Sequence, residues 1–255
     1  MTLSTFSPTA LSGRSVVVTG ASSGIGMEVA IQLSTLGARV LAVGRDLDRL
    51  SHTMNLLSPG DHQYLQTDLG ILDGLDQMTL FLEDQEGLYG LVHAAGSQIV
   101  KPLKVTRPVD YMTMYEIHVM AAAEIMRRMA NKMGRQGEGS FVLLSSVSAL
   151  RGGSGIGAYA AAKAAVISLT KTAAIELAGQ GIRVNCLVPG LVTTPMSGGL
   201  LSRLPAINKQ AMIAEHALGV GKPTNVADAA AFLLSDNSTW ITGASIPVDG
   251  GFLAR

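Results

Sequence analysis

The chain carries one cysteine, Cys186, so no intrachain disulfide can form, which agrees with a reducing compartment. It has no excess of either charge. The 19 basic and 19 acidic residues cancel, leaving neither the footprint of a nucleic-acid binder nor a patch for an anionic membrane surface. No uncharged apolar run approaches the roughly 18 residues of a membrane span. The opening MTLSTFSPTALSGR has no basic segment leading into an apolar one, so a secretory signal is not expected. These absences predict a cytoplasmic protein that works without nucleic acid or membrane, and no metal site is expected.

What is present fits a globular enzyme: 47% hydrophobic and 15% charged residues, with 29 glycines among 255 residues. That length suffices for one substantial core or two small ones. No repeat, low-complexity tract or shift in composition marks a linker. The chain therefore reads as a single domain over 1–255, with 1–12 as a leader.

Short β-branched runs alternate with helical stretches. Ser15 to Val18 reads as a buried strand, Met27 to Leu36 as a helix closed by Gly37, and Val40 to Val43 as a second strand. Such a βαβ unit of about thirty residues predicts a parallel sheet with helical crossovers. The alternation continues with strands at 64–67, 90–93, 141–144, 182–187 and 245–248. Helices are expected at 74–88, 112–133 and 159–178. The predicted fold is α/β, a Rossmann-type doubly wound parallel sheet with helices on both faces. Residues 196–219 interrupt the alternation where such folds bind ligands, and read as a helical, mobile, substrate-covering segment. Its Leu200, Leu201, Leu204, Ile207, Met212 and Ile213 fit a pocket roof, but fit better the face of a helix packed on the core.

The first βα junction reads Thr19-Gly20-Ala21-Ser22-Ser23-Gly24-Ile25-Gly26. Gly20 permits a tight turn, Gly24 lets the backbone approach a pyrophosphate, and Gly26 clears the helix–strand contact. The helix start then offers unpaired N–H groups to phosphates. A Gly-rich turn without ligand is the bland alternative, but its position between strand and helix argues for a dinucleotide. At the end of the second strand, Gly44-Arg45-Asp46 puts an arginine where a 2′-phosphate would lie. This favours NADP(H) over NAD(H), although Asp46 could neutralise Arg45 or cap the next helix.

Tyr159 and Lys163 stand four residues apart on one helical face. A free tyrosine titrates near 10. A charge about 4 Å away at an effective dielectric near 20 is worth about 4 kcal/mol, or about three pKa units toward the phenolate. The tyrosine could then serve as acid or base near neutrality. Alone the pair is weak, since a core tyrosine with a surface lysine one turn on gives the same spacing.

Its surroundings are specific. In order come Thr19 to Gly26, Asp68-Leu69, Ala94-Ala95-Gly96, Ser146 thirteen residues before Tyr159, Lys163, and Pro189-Gly190 with Val192 and Thr194. Ile241-Thr242-Gly243 and Asp249-Gly250-Gly251 close the series. On these motifs the chain resembles the short-chain dehydrogenase/reductases from Val16 to Phe252. The resemblance implies that Ser146 binds the substrate oxygen, Tyr159 transfers the proton, and Lys163 lowers its pKa and holds the nicotinamide ribose. Asp68 would touch the adenine, Ala94 to Gly96 the adenine ribose, and Pro189 to Thr194 the nicotinamide and its carboxamide. It also implies a homotetramer or homodimer, with the 112–133 and 159–178 helices at an interface.

Two positions depart from the family. His93 opens the Ala94-Ala95-Gly96 motif where an asparagine is usual, and it is expected to pack structurally. His118 falls where the family's asparagine supports a water behind the lysine. It is expected to occupy that relay and, titrating between pH 5 and 8, to impose a pH dependence on turnover.

The expected activity is hydride transfer between NADP(H) and a ketone or secondary alcohol. An NAD-linked dehydrogenase of a sugar or polyol is the alternative. A silent dinucleotide sensor or scaffold would be free to lose Ser146, Tyr159 or Lys163, which are all present. An epimerase or dehydratase would be expected to carry a larger C-terminal substrate domain.

Overall fold

The computed structural model describes residues 6–133, 138–202 and 205–255, without the side chain of Leu200. Residues 1–5 of the expected leader, Leu204 and the side chain of Leu200 lie outside that description.

Seven strands form one parallel sheet in the order β3-β2-β1-β4-β5-β6-β7. They are β1 (Ser15–Thr19), β2 (Arg39–Gly44), β3 (Gln63–Gln66), β4 (Leu88–His93), β5 (Gly139–Leu144), β6 (Ile182–Pro189) and β7 (Ser245–Val248). Side chains of one strand alternate between the faces, and the buried residues sort accordingly. Val17, Leu41, Leu91, Phe141 and Val184 pack in one layer with α3 (Leu72–Glu83), α5 (Ala121–Met133) and α6 (Gly157–Ala178). Val16, Val18, Val40, Val92 and Val142 pack in the other with α1 (Gly24–Thr35) and α9 (Pro223–Leu234). The doubly wound sheet expected from the sequence is present. The strand order reverses between β1 and β4, and the crevice at that switch point is where this architecture takes ligands.

Several boundaries differ from expectation. Helix α1 starts at Gly24 rather than 27 because extended Ser23 already serves as N-cap. Helix α2 (Leu47–Leu56) is capped by Asp46, whose Oδ1 accepts the Arg49 N–H at 3.0 Å. Leu88 begins β4 instead of ending a helix, since Gly87 turns the chain at φ 62°. The helix expected at 112–133 begins earlier and is broken. Pro108 opens α4 (Pro108–Tyr115), where the Arg107 N–H donates to Asp110 Oδ2 at 2.8 Å. One widened π turn, Glu116–Met120, then separates α4 from α5. The 196–219 stretch is helical as expected, in α7 (Pro195–Leu201) and α8 (Ala206–Ala214). The core-packing reading of α8 is wrong, because none of its residues is buried and Ile207 is 75% exposed.

The first turn is fixed by close backbone approach. Gly20 has φ 68°, and a Cβ there would lie 2.8 Å from the backbone of Ala94 and Ala95. Gly20→Ala adds a left-handed non-glycine residue, costing about 1–3 kcal/mol, to an overpacking cost of similar size. A loss of at least about 2 kcal/mol is expected, read as a shift of the urea midpoint with unchanged slope.

Candidate active site

A cleft of about 790 Å³ follows the carboxyl ends of the strands. Every residue the sequence singled out for cofactor or chemistry lines it, whereas His93 does not.

At one end lies the glycine loop. Ser23 makes no side-chain cap bond, so its hydroxyl and the first N–H groups of α1 stay available on the cleft wall. Gly24, at φ 57°, sits against Thr194, with a Cβ position 3.2 Å from Thr194 Cγ2. Thr194 is itself fixed, since its N–H donates to Ser197 Oγ at 3.0 Å. These glycines form a cradle that side chains would fill, and its N–H groups suit a dinucleotide's phosphates.

The arginine that sequence reading missed here is Arg49. Its Nε donates to Asp46 Oδ2 at 2.7 Å, so Asp46 is occupied with Arg49 and with capping α2 rather than with Arg45. The Arg49 N–H and guanidinium hold the Asp46 carboxyl below its ordinary range. Arg45 instead reaches Asp68 Oδ2 at 3.4 Å and stays 66% exposed. Asp68 Oδ1 accepts the Gly70 N–H at 2.9 Å, so this residue closes a turn as well as lining the cleft.

At the other end, β5 and α6 are joined reciprocally. Lys163 Nζ donates to the Leu144 carbonyl at 2.6 Å, and Ser145 Oγ donates to the Lys163 carbonyl at 2.8 Å. This pairing brings Ser146, the residue after Ser145, beside Tyr159 on the first turn of α6. The Ser146 hydroxyl lies close enough to the Tyr159 phenol to lower its pKa, and its Oγ accepts the Ser148 N–H at 3.2 Å. Ser145 had no signal of its own in the sequence beyond standing next to Ser146.

The electrostatics correct one expectation. Lys163 does not pull the phenol down in this arrangement. Burial pushes the Tyr159 phenol up, opposed only by the Ser146 hydrogen bond. Burial also pushes the Lys163 ammonium down, to about 7. The lysine spends its hydrogen bond on Leu144, with Nζ 5.7 Å from the Tyr159 ring centre, and low polarity penalises the charged form of each group.

The two histidines part company. His93 is a satisfied core residue: Nε2 lies 3.0 Å from the Ile117 carbonyl, and Nδ1 lies 3.1 Å from Thr19 Oγ1, which accepts the Ala95 N–H. That network requires Nε2–H to donate and Nδ1 to accept. It ties β1, β4 and the π turn together, as the packing expectation required. His118 lies inside the π turn, donates from Nε2 to the Ser97 carbonyl at 2.8 Å, and meets the Tyr159 ring edge-on at 5.5 Å. Its Nδ1 has no hydrogen-bond partner among the described residues. Burial, then the charge of Lys163, push it well below the ordinary histidine range. This direction runs against the expected titration of His118 between pH 5 and 8, because burial disfavours the charged ring.

A glycine cradle at a topological switch point, with a half-buried tyrosine, a buried lysine and a serine at the opposite end, is the arrangement expected of a dinucleotide-dependent oxidoreductase. The family model described as enoyl-(acyl carrier protein) reductase matches residues 20–253. The 3-oxoacyl-[acyl-carrier-protein] reductase FabG of Thermotoga maritima is 34% identical over 251 residues, covering 95% of this chain and 99% of that one. The cis-4-hydroxycyclohexanecarboxylate dehydrogenase of Sinomonas cyclohexanicum is 32% identical, covering 96% and 98%. A Beutenbergia cavernae structure, described as a candidate NAD(P)-dependent gluconate 5-dehydrogenase with NADP bound at low occupancy, superimposes with TM-score 0.91 at 32% identity, covering 98% and 100%. The chain belongs to the short-chain dehydrogenase/reductase family and is an NAD(P)-dependent oxidoreductase.

The buried histidines make a prediction. Their folded-state pKa values are depressed, so the unfolded chain takes up protons that the folded chain refuses as pH falls below 6.5. With His93 held at about 4 against an ordinary 6.5, about 2 kcal/mol of stability is lost between pH 7 and 5. In His93→Asn, the difference between urea unfolding free energies at pH 7 and pH 5 should shrink by about that amount. Turnover of His118→Asn should follow the parent's pH profile in shape between pH 5 and 8.

Proposed function

We propose that the chain transfers hydride between NADP(H) and a ketone or secondary alcohol, working as one catalytic unit over 1–255. The observation that carries this is the grouping of Ser146, Tyr159 and buried Lys163 on one cleft wall, held by the pairing of β5 with α6. The nicotinamide, when bound, supplies or accepts the hydride. Ser146 holds the substrate oxygen and stabilises the charge that develops there. Tyr159 gives that oxygen its proton on reduction, and its raised pKa keeps it in the donor form at neutral pH. Lys163 holds the ribose, and its pKa near 7 lets it gain or lose a proton close to operating pH.

Gly20 to Gly26 would carry the pyrophosphate, Asp68 and Leu69 the adenine, and Ala94 to Gly96 its ribose. Pro189, Gly190, Val192 and Thr194 would face the nicotinamide. Arg45, with Arg49 beside it, supports NADP(H): Arg45 is exposed and loosely paired, so a 2′-phosphate can take its donors bidentately. NADP is also the nucleotide of the Beutenbergia structure. His118, neutral and against the tyrosine ring, orients the phenol rather than carrying charge. Residues 196–219 would cover the substrate, with Met196 and Met212 on the cleft wall. Exposed Met112 and Met120, and Ile175 at 80% exposure, support an assembly through the 112–133 and 159–178 helices as a homotetramer or homodimer. No helix among the described residues is long and apolar enough to cross a membrane, which is compatible with a cytoplasmic setting.

A panel of ketones and secondary alcohols followed by cofactor absorbance tests the reading. Tyr159→Phe should lower kcat by about 10²–10⁴-fold while nucleotide binding persists. Rates with NADPH should exceed those with NADH, and Arg45→Glu should reverse that order. A parent preference for NADH would sink the NADP(H) assignment.

A further inference from the structure

We infer that Arg151 is a specificity-determining residue that seats a carboxylate of the substrate, making the favoured substrates carbonyl or hydroxy acids with the acid group remote from the reacting carbon. The inference deepens the hydride-transfer reading and rests on it for the words carbonyl and hydroxy. The anion seat itself rests on the geometry around Arg151.

Arg151 follows the serine loop, its N–H donating to the Val147 carbonyl at 2.9 Å, and it lines the same cleft as Ser146 and Tyr159. Its guanidinium lies 4.6 Å above the Phe252 ring. Phe252 in turn stacks on His216, with centroids 4.8 Å apart and planes 29° apart. His216 is buried and clamped on both nitrogens. Nε2 accepts the Leu191 N–H at 2.9 Å, which leaves Nδ1–H to donate to the Met212 carbonyl at 3.1 Å. A cation–aromatic–imidazole stack thus runs from the cleft wall to the Pro189–Thr194 segment. It seats the guanidinium over the Phe252 ring before any ligand arrives, and such preorganisation favours binding.

The donors of that guanidinium are mostly unspent. Of its five N–H groups, the only ion pair among the described residues runs from Nη1 to Glu215 Oε2 at 3.5 Å, with both side chains nearly half exposed. A single long contact at that exposure is weak. Glu215 is also poorly placed for its own helix, because it caps the C-terminus of α8, where the helix dipole disfavours an anion. Glu215 therefore acts as a placeholder. A substrate carboxylate that binds Arg151 bidentately makes two short charge-assisted bonds in place of one long one. The walls nearby, Ile156, Leu191, Met196 and Met212, suit an apolar body between the carboxylate and the reacting carbon.

The test is calorimetric binding to the full chain of two matched pairs, 4-oxocyclohexanecarboxylate against its methyl ester and benzoate against benzamide. The parent should bind each acid at least about tenfold tighter than its neutral partner, the size of a charged hydrogen-bonded pair. Arg151→Gln should remove that preference and leave neutral binding unchanged, which also shows that the variant folds. Arg151→Lys should restore part of it, since the charge returns without the fork. Glu215→Gln should widen it. Equal binding of acid and neutral partner by the parent, or binding of neither, overturns the proposal. So does an Arg151→Gln loss of the same factor for both partners, which would mark a mere latch between the serine loop and α8. A chain that discriminates by charge yet consumes no cofactor with any ketone or alcohol would sink the hydride reading and leave the anion seat standing.

Discussion

The active end of the cleft depends on one reciprocal pairing between β5 and α6. Lys163 Nζ donates to the Leu144 carbonyl, and Ser145 Oγ donates to the Lys163 carbonyl. These bonds are buried, where exchange with water offers no compensation if one is lost. They settle how far α6 slides along the sheet, and therefore where Tyr159 stands relative to Ser146. The Thr19–His93–Ile117 network does the equivalent for the nucleotide end. It fixes the π turn against β1 and β4, and with it His118 against the tyrosine ring.

The cleft itself is made by side chains that are absent. Gly20 lets the first turn touch the backbone of Ala94 and Ala95, and Gly190 lets its turn pass within reach of His216 and Asp249. Gly96 lies against the His118 ring, where a Cβ would collide with it. A histidine at 118 and a glycine at 96 are thus one packing solution. The glycine at 96 leaves room for a histidine, where the family usually has an asparagine, beside the tyrosine.

Much of this was legible in the sequence, for reasons that differ by element. Buried parallel strands appear as uninterrupted β-branched runs, so the sheet and its winding could be read from Val16-Val17-Val18 onward. The glycine loop, Ser146, Tyr159 and Lys163 carry spacing as well as identity, and all line one cleft. The π turn was not legible, because its residues continue a helical pattern and the widening shows only in backbone bonding. Pairing of long charged side chains was equally hidden. Asp46 chooses Arg49 over Arg45, and Arg151 finds Phe252 from about a hundred residues away in sequence. The pKa directions were misjudged for one physical reason: helical spacing gives the distance between two groups but not the dielectric around them. Burial raises the Tyr159 phenol and disfavours the charged form of His118.

That same burial bears on why Lys163 is a lysine. Lowering its pKa from 10.5 to about 7 corresponds to about 5 kcal/mol of lost stability at neutral pH relative to an exposed lysine, at 1.36 kcal/mol per unit. The hydrogen bond to Leu144 returns only about 1–3 kcal/mol of this. A methionine of similar length would bury as well without the electrostatic penalty, leaving one carbonyl to be satisfied otherwise. On stability alone the lysine is the worse choice. Titratable groups with depressed pKa values in a cleft are where proton chemistry is found, and a lysine near 7 changes charge within the range where an oxidoreductase works. The electrostatic cost the fold tolerates at Lys163, beside a tyrosine whose own phenol is pushed the other way, puts the lysine among the groups suited to proton chemistry.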